Sequence, residues 1–156
     1  MGGVVAGMDV SDLVPDLGRL AFLPQIRDLS IAYALAFLIG WNREREAHSA
    51  GLRTFPLVAT AACGFIMATQ ELTAGSPEAA ARIIDGVITG MGFIGGGAIL
   101  KGGGEVHGTA TAASLWATGA IGVAVALRAY DVALVIAFFT VVTLFLVGRM
   151  KGPPQD

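Results

Sequence analysis

The stretch from residue 83 to residue 116 constrains the fold most, because it is apolar and unusually rich in glycine. Its glycines recur at helical spacing, and a helix with this pattern offers a smooth groove to a neighbouring backbone. Asp85 and Thr89 lie near the beginning of the same glycine-rich helix face, because positions four and seven apart share a face. We therefore predict that this helix is the most buried one and packs on at least two others. The predicted packing residues are Gly86, Gly90, Gly92 and Gly96.

The composition indicates that lipid solvates much of the surface. The chain has 156 residues, of which 54% are hydrophobic and 14% charged. Soluble domains average about 25% charged residues, and the mean hydropathy here is +0.71. The lipid bilayer is therefore an expected partner. The net charge of -2 gives no reason to expect a nucleic-acid partner.

Five apolar segments predict an all-α, polytopic membrane helix bundle with five transmembrane helices. The predicted spans are residues 24–41, 55–69, 83–100, 109–127 and 132–147. The first contains only a short fully apolar part, against the roughly 20 residues of an average span. Four spans plus an interfacial helix is therefore the alternative. We divide the chain into an N-terminal tail or interfacial segment (1–23), a transmembrane domain (24–148) and a C-terminal tail (149–156).

The basic residues predict the orientation in the membrane. Cytoplasmic loops carry the excess of Lys and Arg, and the predicted loops divide them six to four. The richer side is therefore expected in the cytoplasm, with the N-terminus outside and the C-terminus inside. The six are Arg43, Arg45, Arg53, Lys101, Arg149 and Lys151, and the four are Arg19, Arg27, Arg82 and Arg128.

Asp85 is the sharpest functional signal in the sequence. A carboxylate inside a span is costly and usually faces water or a partner group. One hypothesis makes Asp85 a cation or proton site, with Thr89 adding a hydroxyl oxygen. The other places Asp85 near the outer headgroups, paired with Arg82 three residues away. Asp85 is the one candidate metal ligand, and no other metal site is predicted.

The fourth span carries a polar stripe. Thr111, Ser114 and Thr118 share one helix face at spacings of three and four residues. Their hydroxyls either bond to their own helix and to neighbouring helices, or they line a polar path opposite Asp85. Trp116 lies deeper than an interfacial aromatic residue should, so we predict that it fills the bundle interior.

The loop between the first two spans holds the densest cluster of charges. Glu44 and Glu46 end the first span, and Arg53 opens the second. Because so short a connection holds two antiparallel helix ends together, we predict an ion pair between Arg53 and Glu44 or Glu46. Arg45 and Lys101 complete the functional candidates on this side.

Enzymatic chemistry is not indicated. The sequence assembles neither a Ser-His-Asp nor a Cys-His arrangement. The G-x-G-x-x-G pattern at residues 90–95 lacks the soluble βαβ context and the following acidic residue of a dinucleotide site. We therefore expect neither catalysis nor a bound nucleotide.

Four motifs occur in a specific order along the chain. They are G-W-N-R-E-R-E (40–46), A-G-L-R-T (50–54), T-G-M-G-F-I-G-G-G (89–97) and G-T-A-T-A-A-S-L-W-A-T (108–118). Together they resemble the MgtC/SapB family over about residues 31–127. The resemblance implies a bacterial inner-membrane protein of four or five spans, associated with magnesium-limited growth and, in pathogens, with survival in macrophages. It also implies that some members act on other membrane proteins.

The chain departs from the family pattern at three places. Longer members carry a soluble cytoplasmic domain after the last span, so we expect this chain to be a short form. Ala110 stands where a threonine is expected, and Asp85 stands where a neutral side chain is common.

The leading hypothesis is a non-enzymatic membrane protein linked to magnesium or ion homeostasis that modulates a membrane partner. That partner is a second copy or another membrane protein. The alternatives are a cation (Mg²⁺ or proton) transporter or channel component using Asp85, and a structural membrane subunit. No cofactor is expected, but the resemblance leaves open a bound Mg²⁺ ion.

Overall fold

The computed structural model describes residues 22–45, 50–102 and 105–150, which form five helices and one short hairpin. The strands β1 (Leu100–Gly102) and β2 (Glu105–His107) pair antiparallel between the third and fourth helices. The predicted all-α bundle of five helices is confirmed. The helices are α1 (Phe22–Arg45), α2 (Thr54–Thr73), α3 (Pro77–Gly97), α4 (Thr109–Ala126) and α5 (Tyr130–Met150).

In the described part of the chain, three helices meet the requirements of a membrane span in length and composition, namely α2, α3 and α4. The apolar part of α5, Tyr130–Leu146, is shorter. With 24 residues, α1 is about 36 Å long, but it carries charged residues near both ends. The predicted tail at 1–23 lies almost wholly outside the described residues, and so does most of the predicted tail at 149–156.

Local signals explain where α3 begins. Ser76 is its N-cap, and the Ser76 hydroxyl accepts a hydrogen bond from the Ala79 amide at 3.3 Å. Pro77 suits the first helical position, and the negative charge of Glu78 in the first turn interacts favourably with the helix dipole. Gly75 has a φ of +84°, which ends the preceding turn. The helix therefore begins at Pro77, earlier than the residue 83 expected from apolar patterning.

The centre of the bundle is α4, which packs against each of the other four helices. Small residues on α4 make this possible, because they allow neighbouring helices to approach closely. A Cβ at Gly122 would clash with the carbonyl oxygen of Ala59 on α2, and one at Gly119 would clash with Met91 on α3. These two glycines are therefore sites of close helix contact.

Within the described residues, the prediction that α3 packs on at least two other helices is confirmed, since it contacts α2 and α4, but the prediction that it is the most buried helix is wrong. Its buried residues are Met91 and Gly95, and a Cβ at Gly95 would lie 3.3 Å from the Ala112 carbonyl oxygen. The contact face thus runs through positions 91 and 95, and the glycine stripe lies away from it. A Cβ at any of the four predicted packing glycines would meet no atom of the described residues within 4 Å. These are Gly86, Gly90, Gly92 and Gly96.

Trp116 also differs from the prediction, because 52% of its surface is exposed. The inward face of α4 is already occupied by Thr111, Leu115 and Thr118, which are buried. Residue 116 therefore falls on the outward side of the helix, beside an apolar cavity of about 310 Å³ shared by α3, α4 and α5.

Candidate functional site

One face of α1 forms a buried stripe with a charged residue at each end. Asp28, Ala32, Ala36, Ile39 and Arg43 are all buried, at spacings of three and four residues. The middle three pack into the hydrophobic core, and both charged residues are only 3% exposed. Fifteen residues of helix separate Asp28 from Arg43 by about 22 Å. This face of α1 is therefore apolar in its middle and charged at its two ends.

Arg43 joins α1 to the central helix. Its Nη2 donates a hydrogen bond to Oγ1 of Thr111 on α4 at 2.9 Å, and both side chains are buried. A charged side chain inside a bundle persists only when hydrogen bonds replace its water. Thr111 thus holds the end of α1 against the first turn of α4.

The polar stripe on α4 lies beneath this contact. Ser114 donates to the carbonyl oxygen of Thr111 at 3.0 Å, and Thr118 donates to that of Ser114 at 2.8 Å. Both hydroxyls thus bond to their own helix, and they are buried. Of the two interpretations considered for this stripe, the geometry supports hydroxyls that bond within the helix and between helices.

Glu44 bonds to the backbone at the start of α2, and among the described residues it has no arginine partner. Its Oε2 accepts a hydrogen bond from the Leu52 amide at 3.1 Å. Arg53 is exposed, and among the described residues it forms no ion pair with Glu44. The predicted pair with Glu44 is therefore wrong, because a backbone amide takes the place of the guanidinium. Glu46 lies outside the described residues, so its predicted pairing stays a prediction.

Glycines explain why the backbone can approach Glu44 so closely. The glutamate side chain lies directly against Gly51, where any Cβ would clash with its carboxylate. A Cβ at Gly40 on α1 would lie 3.1 Å from the Gly51 carbonyl oxygen. Residues 40–45 and 50–54 therefore form one compact junction between α1 and α2.

Asp85 does not face the polar stripe on α4. Asp85, Thr89 and Arg82 are all exposed on α3, and the described chain contains no ion pair between Asp85 and Arg82. Neither hypothesis for Asp85 is therefore supported by a contact among the described residues. Among the described residues, no three His, Cys, Asp or Glu side chains come together to hold a metal ion.

The remaining candidates lie at the same end of the bundle as Arg43. Arg45 is exposed at the last turn of α1, and Lys101 lies in β1. The buried residues Arg43 and Asp28 were not among the predicted site residues. Their spacing with Ala32, Ala36 and Ile39 was the available signal, because charged residues that continue a small-residue helix face share its burial.

An open apolar groove runs between α2 and α3. It has a volume of about 640 Å³. Leu57, Ala61 and Phe65 line it from α2, and Gly86 and Gly90 line it from α3. Two of the four predicted packing glycines thus form the wall of a groove that nothing in the described chain fills.

The chain is similar to bacterial proteins of known name. The MgtC family model matches residues 29–152. Protein MgtC of Salmonella typhimurium (strain LT2) is 41% identical over 105 residues, which cover 67% of this chain and 44% of that protein. Protein SrpB of Synechococcus elongatus is 36% identical over 151 residues, covering 85% of this chain and 83% of SrpB.

Protein MgtC of Brucella abortus (strain 2308) is 39% identical over 95 residues, covering 61% of this chain and 39% of that protein. The chain thus spans less than half the length of these MgtC proteins. No solved structure matches it. Because the family model covers most of the chain and three helices suit a bilayer, this protein is a membrane protein of the MgtC family, as its four motifs predict.

Proposed function

We propose that this protein acts in the bacterial inner membrane in magnesium homeostasis, without catalysis, by binding a membrane partner. The observation that carries the proposal is the packed interior between the two buried charged residues of α1, where the hydroxyls of Ser114 and Thr118 are bonded to their own helix. Such an interior suits a protein that presents surfaces to a partner. It does not suit one that passes ions through its own bundle.

The packing in this interior is close. Ala32, Ala36 and Ile39 on α1 are fully buried, and Phe55 on α2 and Ile121 on α4 are fully buried with them. Moving an unpaired ion from water into such surroundings costs tens of kcal/mol by simple solvation arguments. A path for Mg²⁺ or protons through this core is therefore disfavoured, and the exposed Asp85 offers no entry to it.

The groove between α2 and α3 supports the second half of the proposal. Its lining is apolar except for Arg82 and Thr69. On the α3 side, Gly86 and Gly90 have no side chains and so leave the backbone accessible. Small residues at this spacing let the backbone of another transmembrane helix approach closely. A helix of a membrane partner, either a second copy or another protein, is the occupant we propose.

The physiological role comes from the family. The resemblance links MgtC/SapB proteins to magnesium-limited growth, and this chain covers only part of the longer MgtC proteins. In our proposal Mg²⁺ is the ion whose supply the cell senses and is not a bound cofactor. The excess of basic residues orients the α1–α2 loop and the C-terminus towards the cytoplasm.

Growth under magnesium limitation tests the proposal. A strain lacking the gene is complemented with the parent chain, with Gly90→Leu and with Gly92→Leu. Both glycines are exposed on α3, but Gly90 lines the groove and Gly92 does not. We expect Gly90→Leu to lose the growth rescue at normal protein levels and Gly92→Leu to retain it. Equal rescue by all three chains would contradict a role for the groove.

A further inference from the structure

A polar cluster occupies the end of the bundle opposite Arg43, where α1 and α5 begin. Oδ1 of Asp28 accepts hydrogen bonds from Arg27 Nε at 2.7 Å and from the Tyr130 hydroxyl at 2.8 Å. The Tyr130 hydroxyl in turn accepts one from Arg27 Nη2 at 2.9 Å. This triad fixes the Asp28 carboxylate. Within the described chain, no hydrogen bond is directed to Oδ2.

A cavity of about 390 Å³ opens beside Asp28. This volume lies within the range of roughly 300–1,000 Å³ for small-molecule sites. Unlike the groove between α2 and α3, much of its wall is polar. The polar residues are Gln25 and Asp28 from α1, Gln70 and Glu71 from α2, and Arg128 from the α4–α5 connection.

The lining groups define a complementary ligand. Two carboxylates, Asp28 and Glu71, accept hydrogen bonds and attract a cation, whereas the Arg128 guanidinium attracts a phosphate. Gln70 donates from Nε2 to the Ala126 carbonyl oxygen at 2.8 Å, which leaves its amide oxygen as a further acceptor. A ligand that carries both an ammonium and a phosphate matches this arrangement.

The surroundings of the cavity distinguish a lipid from a free solute. Leu23 and Leu72 are 80% and 83% exposed, and Ile26 is also exposed, all at the same end of the bundle. Acyl chains cover such side chains, whereas a water-soluble ligand leaves them in contact with solvent. We propose that this cavity binds the head group of phosphatidylethanolamine, with the ammonium at Asp28 and Glu71 and the phosphate at Arg128.

Native mass spectrometry of the full chain in detergent tests this proposal. The probes are phosphatidylethanolamine, phosphatidylcholine, phosphatidylglycerol and free phosphorylethanolamine. Phosphatidylcholine keeps the phosphate but has no ammonium N–H, and phosphatidylglycerol has no ammonium. We expect phosphatidylethanolamine to bind about tenfold more tightly than the other three probes, the difference typical of one charge-assisted hydrogen bond.

Variants assign the binding to the cavity. Glu71→Gln and Arg128→Gln are each expected to weaken phosphatidylethanolamine binding about tenfold. Glu78→Gln is the matched control, because Glu78 is an exposed carboxylate outside the cavity, at the beginning of α3. Equal binding of the three lipids, or parental binding by both cavity variants, would overturn the proposal. Free phosphorylethanolamine binding as tightly as the lipid would overturn the assignment to a lipid.

Discussion

The hydrogen bond between Arg43 and Thr111 gives the sharpest prediction about stability. Thr111→Val removes the acceptor hydroxyl and keeps the shape of the side chain. The Nη2 group of Arg43 then stays buried between α1 and α4 without the oxygen that lies 2.9 Å away in the parent. We therefore expect the variant to insert and fold with a measurable loss of stability.

The expected loss follows from the kind of bond. Neutral hydrogen bonds between membrane helices average about 0.6 kcal/mol, whereas bonds to a charged group contribute about 1.5–3 kcal/mol. A guanidinium carries five N–H donors, of which Thr111 accepts one, so we expect about 1.5 kcal/mol. For a chain of this length, that loss lowers Tm by about 3–6 °C.

Thermal unfolding in detergent micelles measures the effect. Thr118→Val is the matched control, because the Thr118 hydroxyl donates to a carbonyl oxygen of its own helix. The second part of the experiment compares Arg43→Met alone with Arg43→Met combined with Thr111→Val. Because replacing both members of a buried polar pair costs less stability than the sum of the single changes, we expect the double variant to lose less Tm than that sum. Equal Tm values for Thr111→Val and Thr118→Val, with no coupling to Arg43→Met, would refute this reasoning.

Three further predictions concern packing and charge. Gly122→Ala is expected to lower the free energy of unfolding by about 1–3 kcal/mol, because the added methyl group overpacks against Ala59. Gly86→Ala, whose methyl group meets open space, is expected to leave the free energy of unfolding unchanged, and equal unfolding of the two variants would contradict the placement of α4 at the centre. A double-mutant cycle of Arg53→Gln with Glu44→Gln is expected to show a coupling energy near zero, because Glu44 bonds to the Leu52 amide and not to Arg53. A coupling energy above about 1 kcal/mol would instead indicate an ion pair. Asp85→Asn is expected to change stability by less than about 0.5 kcal/mol, as for other exposed sites, and a large loss of Tm would show a buried partner for Asp85.

Helix number and order could be predicted because lipid exposure and glycine-containing turns leave strong local patterns. The segments predicted at 55–69 and 109–127 match α2 and α4 within a few residues. Helix ends were less accurate where a polar segment stays helical, as at Arg43 and Arg45 in α1 and at Glu78 in α3. Hydropathy reports the apolar part of a helix, whereas caps such as Ser76 determine where the helix begins.

The arrangement of the helices could not be predicted from the same patterns. Glycine spacing shows that a helix has a smooth face, but Gly90 on α3 and Gly122 on α4 look alike in the sequence. Only the fold shows that Gly122 meets α2 and that Gly90 borders an open groove. The observed site differs from the predicted one for the same reason. Thr111 contacts Arg43 on α1, whereas the sequence pattern suggested that it lies opposite Asp85.

Ion flux through the purified protein tests the central claim most directly. The parent chain and the Asp85→Asn variant are reconstituted into sealed proteoliposomes that enclose fluorescent indicators for Mg²⁺ and protons. Because the core between Asp28 and Arg43 is packed and its buried hydroxyls are bonded to their own helix, we predict fluxes equal to those of protein-free vesicles for both chains. Flux well above that background in the parent, abolished by Asp85→Asn, would contradict the account and identify a conducting path along α3.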